Sequence, residues 1–222
     1  MDTGRSLKFR KDALSEPENQ IELLNNFSDK IKALPNFIGK MKEINLFPLK
    51  PQRLDIFQIN VGKMCNQACK HCHVDAGPDR REIMTRETME KILKVLQTST
   101  ATTVDLTGGA PEMNPHFRWF AEELTKLGKK IIVRCNLTII LANKKYNDLP
   151  EFFKQHKIHV VSSLPYYEKD KTDRQRGDGV FKDSIEALKM LNAIGYGIEG
   201  TGLHLDLVYN PGGAFLPGSQ AA

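Results

Sequence analysis

From about residue 51 onward the chain alternates short β-type apolar runs with longer runs of helical periodicity, and this constrains its fold more than any other feature. Strands are expected near 54–61, 103–107, 130–135, 158–164 and 203–209. Strands separated by helix-length crossovers pair in parallel rather than as hairpins, with the helices covering the sheet. The crossovers are legible. Thr85 is a hydroxyl N-cap for a helix whose Met89, Ile92, Leu93 and Leu96 share one face. Asn114-Pro115 starts a second, with Phe117, Phe120, Ala121 and Leu124 aligned and Gly128 ending it. Trp119 falls off that stripe and reads as a partly exposed helix residue. A third helix starts near Asp148 and carries Phe152 and Phe153. A fourth uses Phe181, Ile185, Leu188 and Leu191 and closes at Gly195. Residues 1–50 look different: Leu24, Phe27, Ile31 and Leu34 form one helical stripe broken by Pro35, and Pro48 and Pro51 follow. We read 1–50 as a helical N-terminal extension packed on the exterior of an α/β body that occupies 51–222.

Cysteine is concentrated in one place. Cys65, Cys69 and Cys72 stand as Cys-x3-Cys-x2-Cys in the loop after the first strand, and Cys135 is the only other cysteine. Clustered thiolates repel one another and oxidise unless something positive binds them, so the segment reads as a metal site. Structural zinc is one reading, with His71, His73 or Cys135 completing a tetrahedron. Zinc ligands usually come as two pairs, however, and no second Cys or His pair follows at finger-like distance. Three thiolates instead suit three irons of a cubane cluster whose fourth iron stays open to a small molecule. Cys135, alone at a strand end, reads as a buried core thiol.

A second motif follows the second strand. Thr103-Val-Asp-Leu-Thr-Gly-Gly-Ala-Pro-Glu112 ends a β-type run in a double glycine and a carboxylate. Glycines at a strand's C-terminal end let backbone approach a ligand closely. Glu112, read at the rim, could grip an ammonium group; an ordinary βα turn with a solvated glutamate is the alternative.

Together these motifs resemble the radical S-adenosylmethionine superfamily, whose signatures are a Cys-x3-Cys-x2-Cys loop after the first strand and a Gly-Gly-Glu-like motif after the second. Ile131-Ile-Val-Arg-Cys-Asn136 is similar to its third strand with a terminal Asn, and Val160-Val-Ser-Ser-Leu164 to its fourth. Asp173-Arg-Gln-Arg-Gly-Asp-Gly-Val-Phe181 looks like the loop that follows, and the resemblance covers about residues 53 to 210. It implies a partial (βα)6 TIM-like barrel, of which five strands are visible, so the chain reads as a barrel incomplete at the C-terminus. It also implies a [4Fe-4S] cluster on Cys65, Cys69 and Cys72, whose open iron chelates S-adenosylmethionine. By the same resemblance Gly108, Gly109 and Glu112 would hold the cofactor's amino group, and Asn136, Ser163 and Arg176 would contact its ribose or carboxylate. Ser163 reads equally as a buried strand hydroxyl, and Arg176 as a loop charge. His71 and His73 would flank the cluster as loop residues. The implied activity is reductive cleavage of the cofactor to a 5′-deoxyadenosyl radical, fed by a donor such as flavodoxin or ferredoxin.

Three segments carry a narrower resemblance, to the arsenosugar-biosynthesis radical enzymes. They are Leu54–Gly62, Cys72–Pro78 with Arg81–Met84, and Tyr209–Pro217. The resemblance implies a small-molecule substrate, a dimethylated arsenical that receives the 5′-deoxyadenosyl group. Two other readings stand beside it: a catalytically silent protein binding cluster and cofactor, and a zinc-stabilised binding module. Composition narrows the field further. A content of 40% hydrophobic and 27% charged residues is that of a globular chain, with no apolar run as long as a membrane span and no apolar secretory core near the start. Unpaired cysteines point to a reducing compartment, with the cytoplasm as the default. Net charge is +5, and the lysines are scattered without interleaved aromatics, which argues against nucleic acid as a partner.

Overall fold

The computed structural model describes residues 5–26, 34–50 and 52–210. It divides the chain into two units, Leu7–Leu54 on one side and Met1–Ser6 with Asp55–Ala222 on the other. Within Leu7–Leu54 lie helices α1 (Pro17–Asn25) and α2 (Phe37–Glu43), neither of which contains a buried residue. Pro17 opens α1, and the Asn36 side chain caps α2 by accepting from the Gly39 amide. Leu24 and Leu34 of the expected stripe are exposed, while Phe27 and Ile31 lie outside the described residues.

The second unit is a five-stranded, all-parallel sheet in the order β1-β2-β3-β4-β5. Its strands are β1 (Ile56–Asn60), β2 (Thr103–Thr107), β3 (Lys130–Cys135), β4 (His159–Ser163) and β5 (Leu205–Val208). Each is bounded within one or two residues of its sequence expectation. Sequential order with helical crossovers is the winding of a TIM-like barrel wall. In β3 the apolar residues alternate, so Ile131, Val133 and Cys135 are buried while Lys130 and Arg134 are exposed. The register sets Asn60 beside Thr107 and Ser163 beside Val208, which lines the strands' C-terminal ends along one edge.

Between the strands run α3 (Arg86–Thr98), α4 (Phe117–Lys126), the short α5 (Ile139–Ala142), α6 (Leu149–Gln155), α7 (Lys169–Arg176) and α8 (Val180–Ala193). Thr85 caps α3 by accepting from the Thr88 amide. The α4 stripe of Phe117, Phe120, Ala121 and Leu124 is buried, and each large side chain on it contributes about 2 kcal/mol of burial. Phe117 meets Phe153 of α6 edge-on, with ring centroids 6.5 Å apart. Trp119 is half-buried, and the Arg86 guanidinium lies 4.0 Å over its ring. Among the described residues no helix is long and apolar enough to cross a membrane.

Three expectations need correction. Helix α4 starts at Phe117 and not at Asn114: Asn114 precedes it in a turn, its side-chain oxygen accepting from the His116 amide at 2.9 Å while its amide donates to the carbonyls of Val61 and Met84. The buried face of α8 is Val180, Ser184, Ala187 and Leu191; Phe181, Ile185 and Leu188 sit at its margin. The segment read as a loop from Asp173 is helical through Arg176, as the second half of α7. That helix contains no apolar residue, so it offers no hydrophobic period by which to recognise it.

Candidate functional site

The loops after the strands' C-terminal ends enclose a cavity of about 540 Å³. Cys65, Cys69, Cys72, Gly108, Gly109, Asn136, Ser163 and Arg176, singled out from sequence, all line it, and so do His71 and His73. All five strands contribute to its lining, as expected where a parallel α/β sheet places its chemistry.

The cysteine loop is held from three sides. The Cys65 amide donates to the Gly77 carbonyl at 3.2 Å, and the Gly77 amide donates to that of Lys63 at 3.1 Å, folding residues 72–84 back over the triplet. Arg80, only 5% exposed, locks this fold: Nη1 reaches the Asp75 carbonyl at 2.7 Å and its carboxylate at 2.5 Å, while Nε and Nη2 donate to Glu82. The double glycine forms the third side. The Gly109 amide donates to the Gly62 carbonyl and the Ala110 amide to the Met64 carbonyl, both at 2.9 Å. A Cβ on Gly108 would stand 2.5 Å from the Gly62 oxygen, and one on Gly109 would stand 2.4 Å from the Met64 oxygen. Glycine is therefore required here for two loops to pack back to back, whatever ligand the cavity takes.

Donors point at the sulfurs. Cys65 Sγ accepts from the Gln67 amide at 3.4 Å and from Asn136 Nδ2 at 3.5 Å; Cys72 Sγ accepts from the Ala76 amide at 3.3 Å. Burial nevertheless pushes the Cys65 thiol up to about 11, with the neighbouring Cys69 and Cys72 adding to the rise. Cys69 is raised as well, chiefly by burial, although the Arg176 charge works in the opposite direction. Such thiols ionise only against a bound positive centre. A mononuclear zinc needs all its ligands within about 2.3 Å of one centre, whereas a cubane takes one sulfur per iron. All four cysteines are free, and the donor set fits a cluster.

Asn136 has no hydrogen-bonding capacity left over. Its second amide hydrogen goes to Asn66 Oδ1 at 2.7 Å, and its oxygen accepts from the Ile139 amide and the Thr138 hydroxyl. It positions Cys65 and the cysteine loop. Ser163 lines the cavity, and its carbonyl accepts from Arg176 Nη1. Partial burial, and then the Arg176 charge, lower His71 from its ordinary value.

Glu112 departs from its expected place at the rim. The turn Pro111–Met113 carries it inward; it is 5% exposed and is not among the residues lining the cavity. Neither carboxylate oxygen meets hydrogen-bond geometry with a partner, and burial raises the group to about 7, with the neighbouring Cys135 thiol acting weakly in the opposite direction. Beside it lies Cys135, a buried thiol pushed well up by burial and by the Glu112 charge.

Several site residues gave little sign in the sequence. Gln67 sits between the first two cysteines: its Nε2 donates to Thr138 Oγ1 at 2.9 Å, and its Oε1 accepts from Arg176 Nη2 at 2.8 Å. Gln58 and Arg134 line the cavity and both donate to Asp105, which is buried behind them: Gln58 Nε2 at 2.8 Å, and Arg134 Nε and Nη2 at 3.0 and 2.8 Å. Burial alone would raise Asp105, but these bonds hold it below the usual carboxylate range. A carboxylate between Val104 and Leu106 at the centre of β2 was the available signal for this group.

Comparison with known proteins places this geometry. The family model of the Radical SAM superfamily matches residues 59–207. The antilisterial bacteriocin subtilosin biosynthesis protein AlbA of Bacillus subtilis (strain 168) is 28% identical over 129 residues, which are 58% of this chain and 28% of AlbA. Streptococcus suis SuiB bound to S-adenosylmethionine superposes with a TM-score of 0.56 at 18% identity, over 90% of this chain and 44% of SuiB. Histidine-tagged anSMEcpe with bound AdoMet gives a TM-score of 0.54 at 18% identity, over 71% of this chain and 43% of that one. The two solved structures establish likeness of fold. This chain spans less than half the length of each of the three.

Proposed function

The chain belongs to the Radical SAM superfamily, and on that footing we propose that its cavity holds a [4Fe-4S] cluster on Cys65, Cys69 and Cys72 with S-adenosylmethionine beside it. One observation carries the reading: three thiols share a cavity with a buried guanidinium that has no carboxylate partner among the described residues. When bound, the two groups supply one-electron reductive cleavage of the sulfonium to methionine and a 5′-deoxyadenosyl radical.

The chain's own contribution is to hold, orient and shield. Amides of Gln67 and Ala76 and the Asn136 side chain aim donors at two of the sulfurs. Arg80 fastens the loop that closes over them. Glu112 is buried and does not line the cavity, so contact with the cofactor's amino group falls to the Thr107–Gly109 edge. Ser163 faces the same space from β4, where a ribose or carboxylate would be met. Arg134 and Gln58, both held by the buried Asp105, give the cavity polar lining for a substrate. A low-potential one-electron carrier such as flavodoxin or ferredoxin would deliver the electron.

The substrate we propose is a small dimethylated arsenical, supported by the likeness of Leu54–Gly62, Cys72–Pro78 and Arg81–Met84 to the arsenosugar-biosynthesis group. A peptide substrate is the second reading, favoured by the relationship to AlbA, a bacteriocin biosynthesis protein. Anaerobic reconstitution tests the first layer: about four irons and four sulfides per chain, with a reduced EPR signal that changes shape when S-adenosylmethionine is added. Zinc in place of iron, with no such signal, would sink the proposal. Incubation with trivalent dimethylarsenic and reductant then decides the substrate, since an arsenical 5′-deoxyadenosine product separates it from abortive 5′-deoxyadenosine.

A further inference from the structure

Arg176 closes α7 and is 5% exposed, yet it forms no ion pair among the described residues. Nη2 donates to Gln67 Oε1 at 2.8 Å, Nη1 donates to the Ser163 carbonyl, and Nε is buried without a partner. The nearest carboxylate on its own helix turn, Asp173, is occupied with the amides of Gly179 and Phe181. Burying an uncompensated guanidinium costs several kcal/mol, so a negative group has to face it. Gln67 Oε1, which accepts from Arg176, also accepts from the Cys69 thiol at 3.5 Å, so one amide oxygen links the cation to the sulfur. Arg176 therefore lies on the wall of the thiol cavity with its charge directed at the cysteine loop.

We propose that Arg176 is the counter-charge of the cluster site, a positioning residue that biases the group held by Cys65, Cys69 and Cys72 toward its reduced state. This role is separate from the contact to ribose or carboxylate implied by resemblance, and it rests on the cluster reading above. Reduction brings in one electron from an external one-electron reductant and no proton, because the guanidinium stays protonated throughout. The site gains one negative charge, and a fixed cation a few ångströms away in a partly dry interior favours that gain. At a given potential the reduced-to-oxidised ratio should fall about tenfold or more when the cation is removed, equivalent to about 59 mV for one electron.

The test is a redox titration of the full reconstituted chain, read by EPR without S-adenosylmethionine, for wild type, Arg176→Gln and Arg176→Lys. The Gln variant should titrate about 59 mV or more below wild type, and the Lys variant should recover most of that gap. A Gln variant that loads no iron beside a Lys variant that loads fully also supports the counter-charge. Three outcomes overturn it: a Gln variant at the wild-type potential, Gln and Lys variants shifted equally, or two folded variants that both fail to load. A wild-type chain that takes up no cluster overturns the reading beneath, whereas loaded wild type with unmoved variants overturns only the role of Arg176.

Discussion

Replacing Glu112 with Gln should stabilise the apo-protein in a pH-dependent way. The carboxylate is buried with neither oxygen partnered, and its ordinary value of 4.5 rises to about 7 by desolvation. The unfolded chain loses this proton near 4.5, while the folded chain keeps it until about 7. Between those values the folded state binds more protons, so stability falls as pH rises, and above about 7 the penalty is complete. The penalty is about 1 kcal/mol near pH 5 and about 3 kcal/mol near pH 8.5. Gln carries no such penalty, although its unpartnered amide has a constant cost of about 1–3 kcal/mol. The informative quantity is therefore the change in the difference between the two proteins, about 2 to 2.5 kcal/mol from about pH 5 to about pH 8.5. Urea unfolding followed through Trp119, the chain's single tryptophan and a residue of α4, reads it directly. In thermal melts it corresponds to about 5–10 °C. The same difference at both pH values would refute the reasoning, because Glu112 would then hold one charge state throughout and must have a partner.

Two further outcomes follow from the loops. Gly109→Ala should cut iron uptake severalfold while leaving the far-UV spectrum close to wild type, since its Cβ would meet the Met64 oxygen at 2.4 Å and Cys65 Cβ at 3.0 Å. Arg80→Met should destabilise by about 2–3 kcal/mol and raise amide exchange across residues 72–84, because it strips the Asp75 carbonyl and carboxylate of a buried donor. Exchange unchanged in that segment would mean that the backbone bonds of Gly77 hold the loop alone.

The sheet and its crossovers were legible because their signals are local. A strand's alternation, as in β3, and a helix's stripe, as in α4, are properties of consecutive residues, and burial on a parallel sheet demands both. The cysteine spacing belongs to the same class, since a single loop supplies all three ligands. Helix α7 was not legible, because a segment without apolar residues has no period; its helical state follows from buried bonds such as Thr172 Oγ1 to the Tyr166 carbonyl.

Chain order alone thus determined the parallel α/β architecture, the strand ends that carry the chemistry and the cysteine triplet itself. Tertiary structure decided which polar groups face the cavity and which are buried behind it. Glu112 and Arg176 show this, one carried inward by a single turn and the other brought beside Gln67 from 109 residues away. The physical reason is that desolvation and charge pairing depend on distance through space, and no local pattern of residues encodes which distant loop will close over a side chain.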